Sequence, residues 1–133
     1  MASDSTAGLP TYKIGPVSRG DAERVIDLAK DMDVACMGTF EFGPVSRGDA
    51  ARLQALAEEM DVLCTIAATD SAVSLSSYNV GPVSRGDAER MIALAKNMDV
   101  ACMGIFEFGP VSGGDAARLL VLAKEIGVAC TEM

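Results

Sequence analysis

The tetrapeptide Gly-Pro-Val-Ser occurs four times in 133 residues, beginning at Gly15, Gly43, Gly81 and Gly109. Three copies continue into Arg-Gly-Asp-Ala and the fourth into Gly-Gly-Asp-Ala. A repeat constrains a fold more than any local propensity does, because the copies must share a local structure and bury their apolar faces on one another. Residues 12–67 align with 78–133 without a gap at roughly three quarters identity, and each half is itself a 28-residue unit doubled at about half identity. The chain is a duplication of a duplication. Residues 68–77, rich in Ser and Ala, read as a linker between halves. Residues 1–11 read as a flexible tail.

Every unit parses alike. Tyr12-Lys13-Ile14 alternates apolar and polar, as a half-buried strand does. Pro16 has no N–H and interrupts the ladder. Ser18 stands at an N-cap, with Asp21 in the first turn suiting the positive helix end. Ser46, Ser84 and Ser112 hold the same place in the other units. Ala22, Val25, Ile26, Ala29 and Met32 recur at helical spacing. The spacing predicts helices over 19–32, 47–60, 85–98 and 113–126. Val34-Ala35-Cys36-Met37 follows as a short strand, and Gly38-Thr39 is expected to turn tightly into Phe40-Glu41-Phe42. Each half then reads β-α-β-β-α-β. The expected class is α+β, two tandem ferredoxin-like units at 12–67 and 78–133, each an antiparallel sheet with its helices on one face.

A two-residue turn pairs Met37 with Phe40 and Cys36 with Glu41. Tyr12, Ile14, Met37, Phe40 and Phe42 then lie under the helices. Lys13, Val34, Cys36, Glu41, Val62 and Cys64 lie on the open face, with Lys13 paired to Glu41; Asn79 and Glu107 hold the corresponding places in the second half. A turn one residue longer reverses the Cys assignment. Edge strands without Lys or Pro pair readily with another sheet, and a half of ~56 residues buries little apolar surface by itself. Val34, Cys36, Val62, Cys64, Val100, Cys102, Val128 and Cys130 are therefore the candidate interface between halves or with a partner.

Chemistry is scarce. With no His, a Ser-His-Asp triad and a His-ligated zinc site are excluded. Nineteen Asp plus Glu against eleven Lys plus Arg give −8, which argues against nucleic acid as a partner. Cys36 and Cys64 fall on opposite edges of the expected sheet, three spacings of ~4.8 Å apart. A disulfide needs Cα atoms within ~7 Å, so a bridge within a half is not expected, while one between halves or chains stays open. Cys36-Met37 and Cys102-Met103 are soft donors suited to Cu(I) or zinc. Adjacent strand residues point to opposite faces, so neither pair chelates one ion. A soft-metal or redox role stays an alternative, with no metal or cofactor expected. Glu58-Glu59 reads as solvated helix surface, and with no catalytic constellation the chain is expected not to be an enzyme. No apolar run reaches the ~20 residues of a membrane span. The first residues lack a secretory signal, so the expected location is cytoplasmic, or periplasmic if an export signal has been removed. The function expected is interaction or assembly, with a protein partner or by self-association.

The run aromatic-x-apolar-Gly-Pro-Val-Ser, then Ala and an amphipathic helix ending in Asp-Val, resembles the SPOR domain family. The matching stretches are 12–34, 40–62, 78–100 and 106–128. The resemblance implies a β-α-β-β-α-β fold whose open sheet face binds peptidoglycan glycan strands, usually in the periplasm. The chain departs from the family pattern in carrying Val17, Val45, Val83 and Val111 where Phe is usual.

Overall fold

A computed structural model of the chain describes residues 10–70 and 75–132. In chain order its elements are β1 (Tyr12–Ser18), α1 (Arg19–Met32), β2 (Cys36–Val45), α2 (Arg47–Met60), β3 (Cys64–Asp70), β4 (Leu75–Ser84), α3 (Arg85–Met98), β5 (Cys102–Phe108), α4 (Gly113–Ile126) and β6 (Cys130–Glu132). The strands form one antiparallel sheet in the order β3-β4-β2-β5-β1-β6. The protein is α+β. Residues 1–9, most of the expected tail, lie outside the described residues. Pro10 is held in place, its carbonyl accepting the Val111 N–H at 3.0 Å.

The helices occupy the spans that periodicity predicts. α1 buries Ala22, Val25, Ile26 and Ala29, and α3 buries Ala88, Met91, Ile92 and Ala95. All four N-cap serines have extended backbone; Ser46, Ser84 and Ser112 accept from the backbone N–H of Asp49, Asp87 and Asp115 at 3.3, 3.5 and 3.3 Å, while Ser18 makes no such bond. At the other end Asp33, Asp61, Asp99 and Gly127 adopt the left-handed conformation that lets the next N–H groups reach back to the last turn.

Two expectations are corrected. Gly38-Thr39 is not a turn: β2 is one continuous strand from Cys36 to Val45, and one six-stranded sheet replaces the two expected sheets. The reason is parity. A turn at Gly38-Thr39 sets Met37 beside Phe40 and sends Cys36 to the opposite face from the phenylalanines. A continuous strand keeps Cys36, Gly38, Phe40 and Phe42 together on the buried face, with Met37, Thr39 and Glu41 outside. The glycine is needed for packing. A Cβ on Gly38 would come within 2.9 Å of the Phe106 ring, and one on Gly104 within 3.0 Å of the Phe40 ring. Those two rings meet edge-on at 5.5 Å between centroids. Second, the 68–77 stretch is largely strand, since residues 68–70 belong to β3 and 75–77 to β4.

Every ladder consequently joins a strand of 12–70 to a strand of 75–132: β1 pairs with β5 and β6, β2 with β4 and β5, β3 with β4. A pseudo-two-fold passes between β2 and β5, where Thr39 faces Ile105. The repeated Gly-Pro step lies at a bulge in β1 and β4. There Gly15 and Gly81 have φ of +128° and +131°, and a Cβ on either would come within 2.8 Å of a carbonyl oxygen on the next strand.

The repeated arginine bonds the helix layer across the same axis. Arg19, opening α1, donates to the Ala95 and Val100 carbonyls at the end of α3, both at 3.2 Å. Arg85, opening α3, donates to Ala29 and Val34 at the end of α1, at 3.1 and 3.3 Å. Each guanidinium covers the negative end of the neighbouring helix. Arg47, on the flanking α2, is exposed and has no partner among the described residues. Arg85→Met is therefore expected to cost about 1–3 kcal/mol by stranding half-buried carbonyls, whereas Arg47→Met stays within about 0.5 kcal/mol, both read from urea midpoints. Asp61→Gly, which copies the fourth unit's Gly127 at the left-handed position, is expected to raise stability by about 0.5–1 kcal/mol in the same assay.

Candidate functional site

The helices lie on one face of the sheet, α1 against β1 and β5 and α3 against β2 and β4. The strands alternate accordingly. Cys36, Phe40 and Phe42 in β2, and Cys102, Phe106 and Phe108 in β5, are buried beneath the helices, while Met37, Thr39, Glu41, Met103 and Glu107 face out. The outward face carries no helix among the described residues, and it is the candidate site.

Register arranges that face in rows. Thr39 and Ile105 stand opposite each other at its centre. On one side Met37 lies opposite Glu107, which lies opposite Lys13. On the other, Met103 lies opposite Glu41, which lies opposite Asn79. The expected Lys13–Glu41 pairing is thus replaced by two pairings across the halves, Lys13 with Glu107 and Glu41 with Asn79. The centre is apolar, with Met37 44% and Met103 43% exposed, and acidic, basic and amide groups stand around it. Such a surface offers a desolvating middle with polar groups to orient a partner.

The eight residues of the candidate interface lie off that face. Val34, Cys36, Val100 and Cys102 are buried core, and Val62, Cys64, Val128 and Cys130 are partly buried against it. Assigning Val34, Cys36, Val62 and Cys64 to the open face is corrected by the same parity argument. The four cysteines do lie on strands paired across the halves: Cys36 opposite Phe108, Cys102 opposite Phe42, Cys64 opposite Val80 and Cys130 opposite Ile14. Met37, Thr39, Met103 and Ile105 are the face residues that sequence reasoning missed. Their signal was the unbroken alternation from Cys36 to Phe42, obscured by reading Gly38 as a turn.

Burial favours the neutral form of all four thiols. Burial pushes those of Cys36 and Cys102 up to about 11, with Arg85 and Arg19 respectively opposing the shift, and burial also raises Cys64 and Cys130. All four are free thiols, and no group of three or more His, Cys, Asp or Glu side chains among the described residues is placed to hold a metal ion. No described helix is long and apolar enough to cross a membrane.

A second exposed apolar set lies on α4, where Leu120 and Val121 replace the Gln54 and Ala55 of α2. Val121 lines a groove of ≈ 530 Å³ between α1 and α4. The ion pairs Arg24–Glu125 and Arg118–Asp31 join the two helices across that groove. No protein-family model matches the chain, and no curated protein is significantly similar to it.

The raised thiols have a consequence for stability. Below the ordinary thiol value of 9.0 the folded and unfolded states hold the same protons; above it the unfolded chain ionises first, so stability falls between about pH 9 and about pH 11. The decline in urea midpoint across that window is expected to be shallower in a Cys36→Ala/Cys102→Ala variant. At neutral pH a thiol reagent is expected to label Cys64 and Cys130 well before Cys36 and Cys102.

Proposed function

We propose that the chain acts by association rather than catalysis, as an interaction or assembly module that docks a protein partner, or a further copy of itself, on the uncovered sheet face. The observation that carries this reading is the exposure of Met37 and Met103 beside Ile105 at the centre of a face that no described helix covers. Burying methionines there is favourable by roughly 25 cal/mol per Å² of apolar surface, and their unbranched side chains adapt to a partner's relief. Lys13, Glu41, Asn79 and Glu107 set orientation and register more than affinity.

We further infer that the sheet is a pair of ferredoxin-like sheets merged at β2 and β5. Each would draw its first two strands from one repeat and its last two from the other. A second reading follows from the resemblance to SPOR domains. The uncovered face is the one that family uses, and Thr39, Asn79 and Thr131 give it hydroxyl and amide groups suited to a glycan strand.

A Met37→Asp/Met103→Asp variant separates these readings. Both residues are outside the core, so helix content is expected to stay close to that of the parent, while the new carboxylates opposite Glu107 and Glu41 lower the urea midpoint modestly without unfolding the chain. Association with a stoichiometric protein partner or with a further copy is expected to weaken at least about tenfold, a loss of about 1.4 kcal/mol, read by light scattering and native mass measurement. Unchanged association overturns the docking reading. Retention of the parent, but not the variant, on amidase-treated sacculi selects the glycan reading instead.

A further inference from the structure

We propose that each half of this chain can take a half of a second copy as its partner, and that the β3–β4 ladder is what keeps the pairing within one chain. The argument rests on strand connections and is independent of the docking face.

Among the described residues all five ladders cross between 12–70 and 75–132, so the sheet there is one that each half builds with another half. The halves match at roughly three quarters of their positions. The contacts across the axis match as well: Cys36 opposite Phe108 repeats as Cys102 opposite Phe42, and Arg19 on the α3 terminus repeats as Arg85 on the α1 terminus. A half of a second copy therefore offers the same partners. Exchanging identical elements between copies leaves the contacts unchanged.

The unit junctions show what holds the pairing within the chain. In β3 and β4 the ladder sets Cys64 opposite Val80, Thr65 opposite Asn79 and Ile66 opposite Tyr78. The same register inside the first half would set Cys36 opposite Phe42 and Gly38 opposite Phe40, leaving Thr39 alone to turn. A hairpin needs at least two residues in its turn, and the strand is continuous there instead. The middle junction differs by the additional residues 68–77. With them the ladder continues through Ala68 opposite Ser77 to Asp70 opposite Leu75, and the second half folds back beside the first. Without them Ile66-Ala67-Tyr78 stands where Gly38-Thr39-Phe40 stands and would continue as one strand. The two halves of one chain then point away from each other, and each finds its complement on another copy.

The test removes residues 68–77 from the full chain. The shortened chain is expected to keep its helical circular dichroism and to appear by native mass spectrometry at twice the single-chain mass or a higher multiple. Isotope-labelled and unlabelled shortened chains are expected to form mixed species only after joint unfolding and refolding, since exchange requires breaking the ladders. Adding Met37→Asp/Met103→Asp is expected not to alter that stoichiometry, which separates exchange from docking on the open face. A folded single-copy species, a species that mixes at once under native conditions, or a shortened chain without helical signal overturns the proposal.

Discussion

The contact between Phe40 and Phe106 is where the two halves become one molecule. Each ring lies over a glycine of the opposite strand, Phe106 over Gly38 and Phe40 over Gly104, and the rings meet edge-on at the pseudo-two-fold. A side chain at either glycine would push a ring out of the centre of the core. With the rings seated, β2 and β5 pair along their whole shared length, and β1 and β4 find their places on the outer sides. The helices follow, because α1 continues directly from β1 and α3 directly from β4.

How much of this was legible depends on how local the deciding physics was. The helices rest on apolar spacing, a serine at the start and an αL residue at the end, all within one stretch of chain, and their spans could be read directly. The Gly38-Thr39 step could not. Glycine within an alternating run is compatible with a tight turn and with a close approach by another side chain. The choice between them lies with Phe106, which is distant in sequence. Reading a turn there misassigns only part of each face: alternation within each short run suffices to put Lys13, Glu41 and Glu107 on the open side. Met37 was exchanged with Cys36 because its placement depends on what happens after Gly38.

Departures from perfect repetition collect where packing demands least. Lys30–Glu89 and Lys96–Glu23 are related by the pseudo-two-fold between the central helices. On the flanks Arg24–Glu125 and Arg90–Glu59 keep the symmetry, but one further pair does not. Asp31 takes Arg118, but its counterpart is Asn97, and Arg52 turns to Asp49 in its own helix instead. Exposed pairs of this kind contribute little each, so their loss on one side is tolerated. By contrast the arginines that cap helix carbonyls, Arg19 and Arg85, are present in both halves, and the one replaced, at Gly113, belongs to a flanking helix.

The interlacing of the halves also orders events during synthesis. A nascent chain that has exposed everything up to β3 has two amphipathic helices and three strands, yet no strand among them has its native neighbour. The earliest native ladder is β3–β4, which joins segments close in sequence and so costs little loop entropy. The β2–β4 ladder can follow once β4 is complete, and the remaining three wait for β5 and β6 near the C-terminus. At about 5–20 residues per second, apolar strands such as β2 spend several seconds outside the ribosome unpaired. Neighbouring ribosomes on one message would present each other with matching first halves throughout that interval.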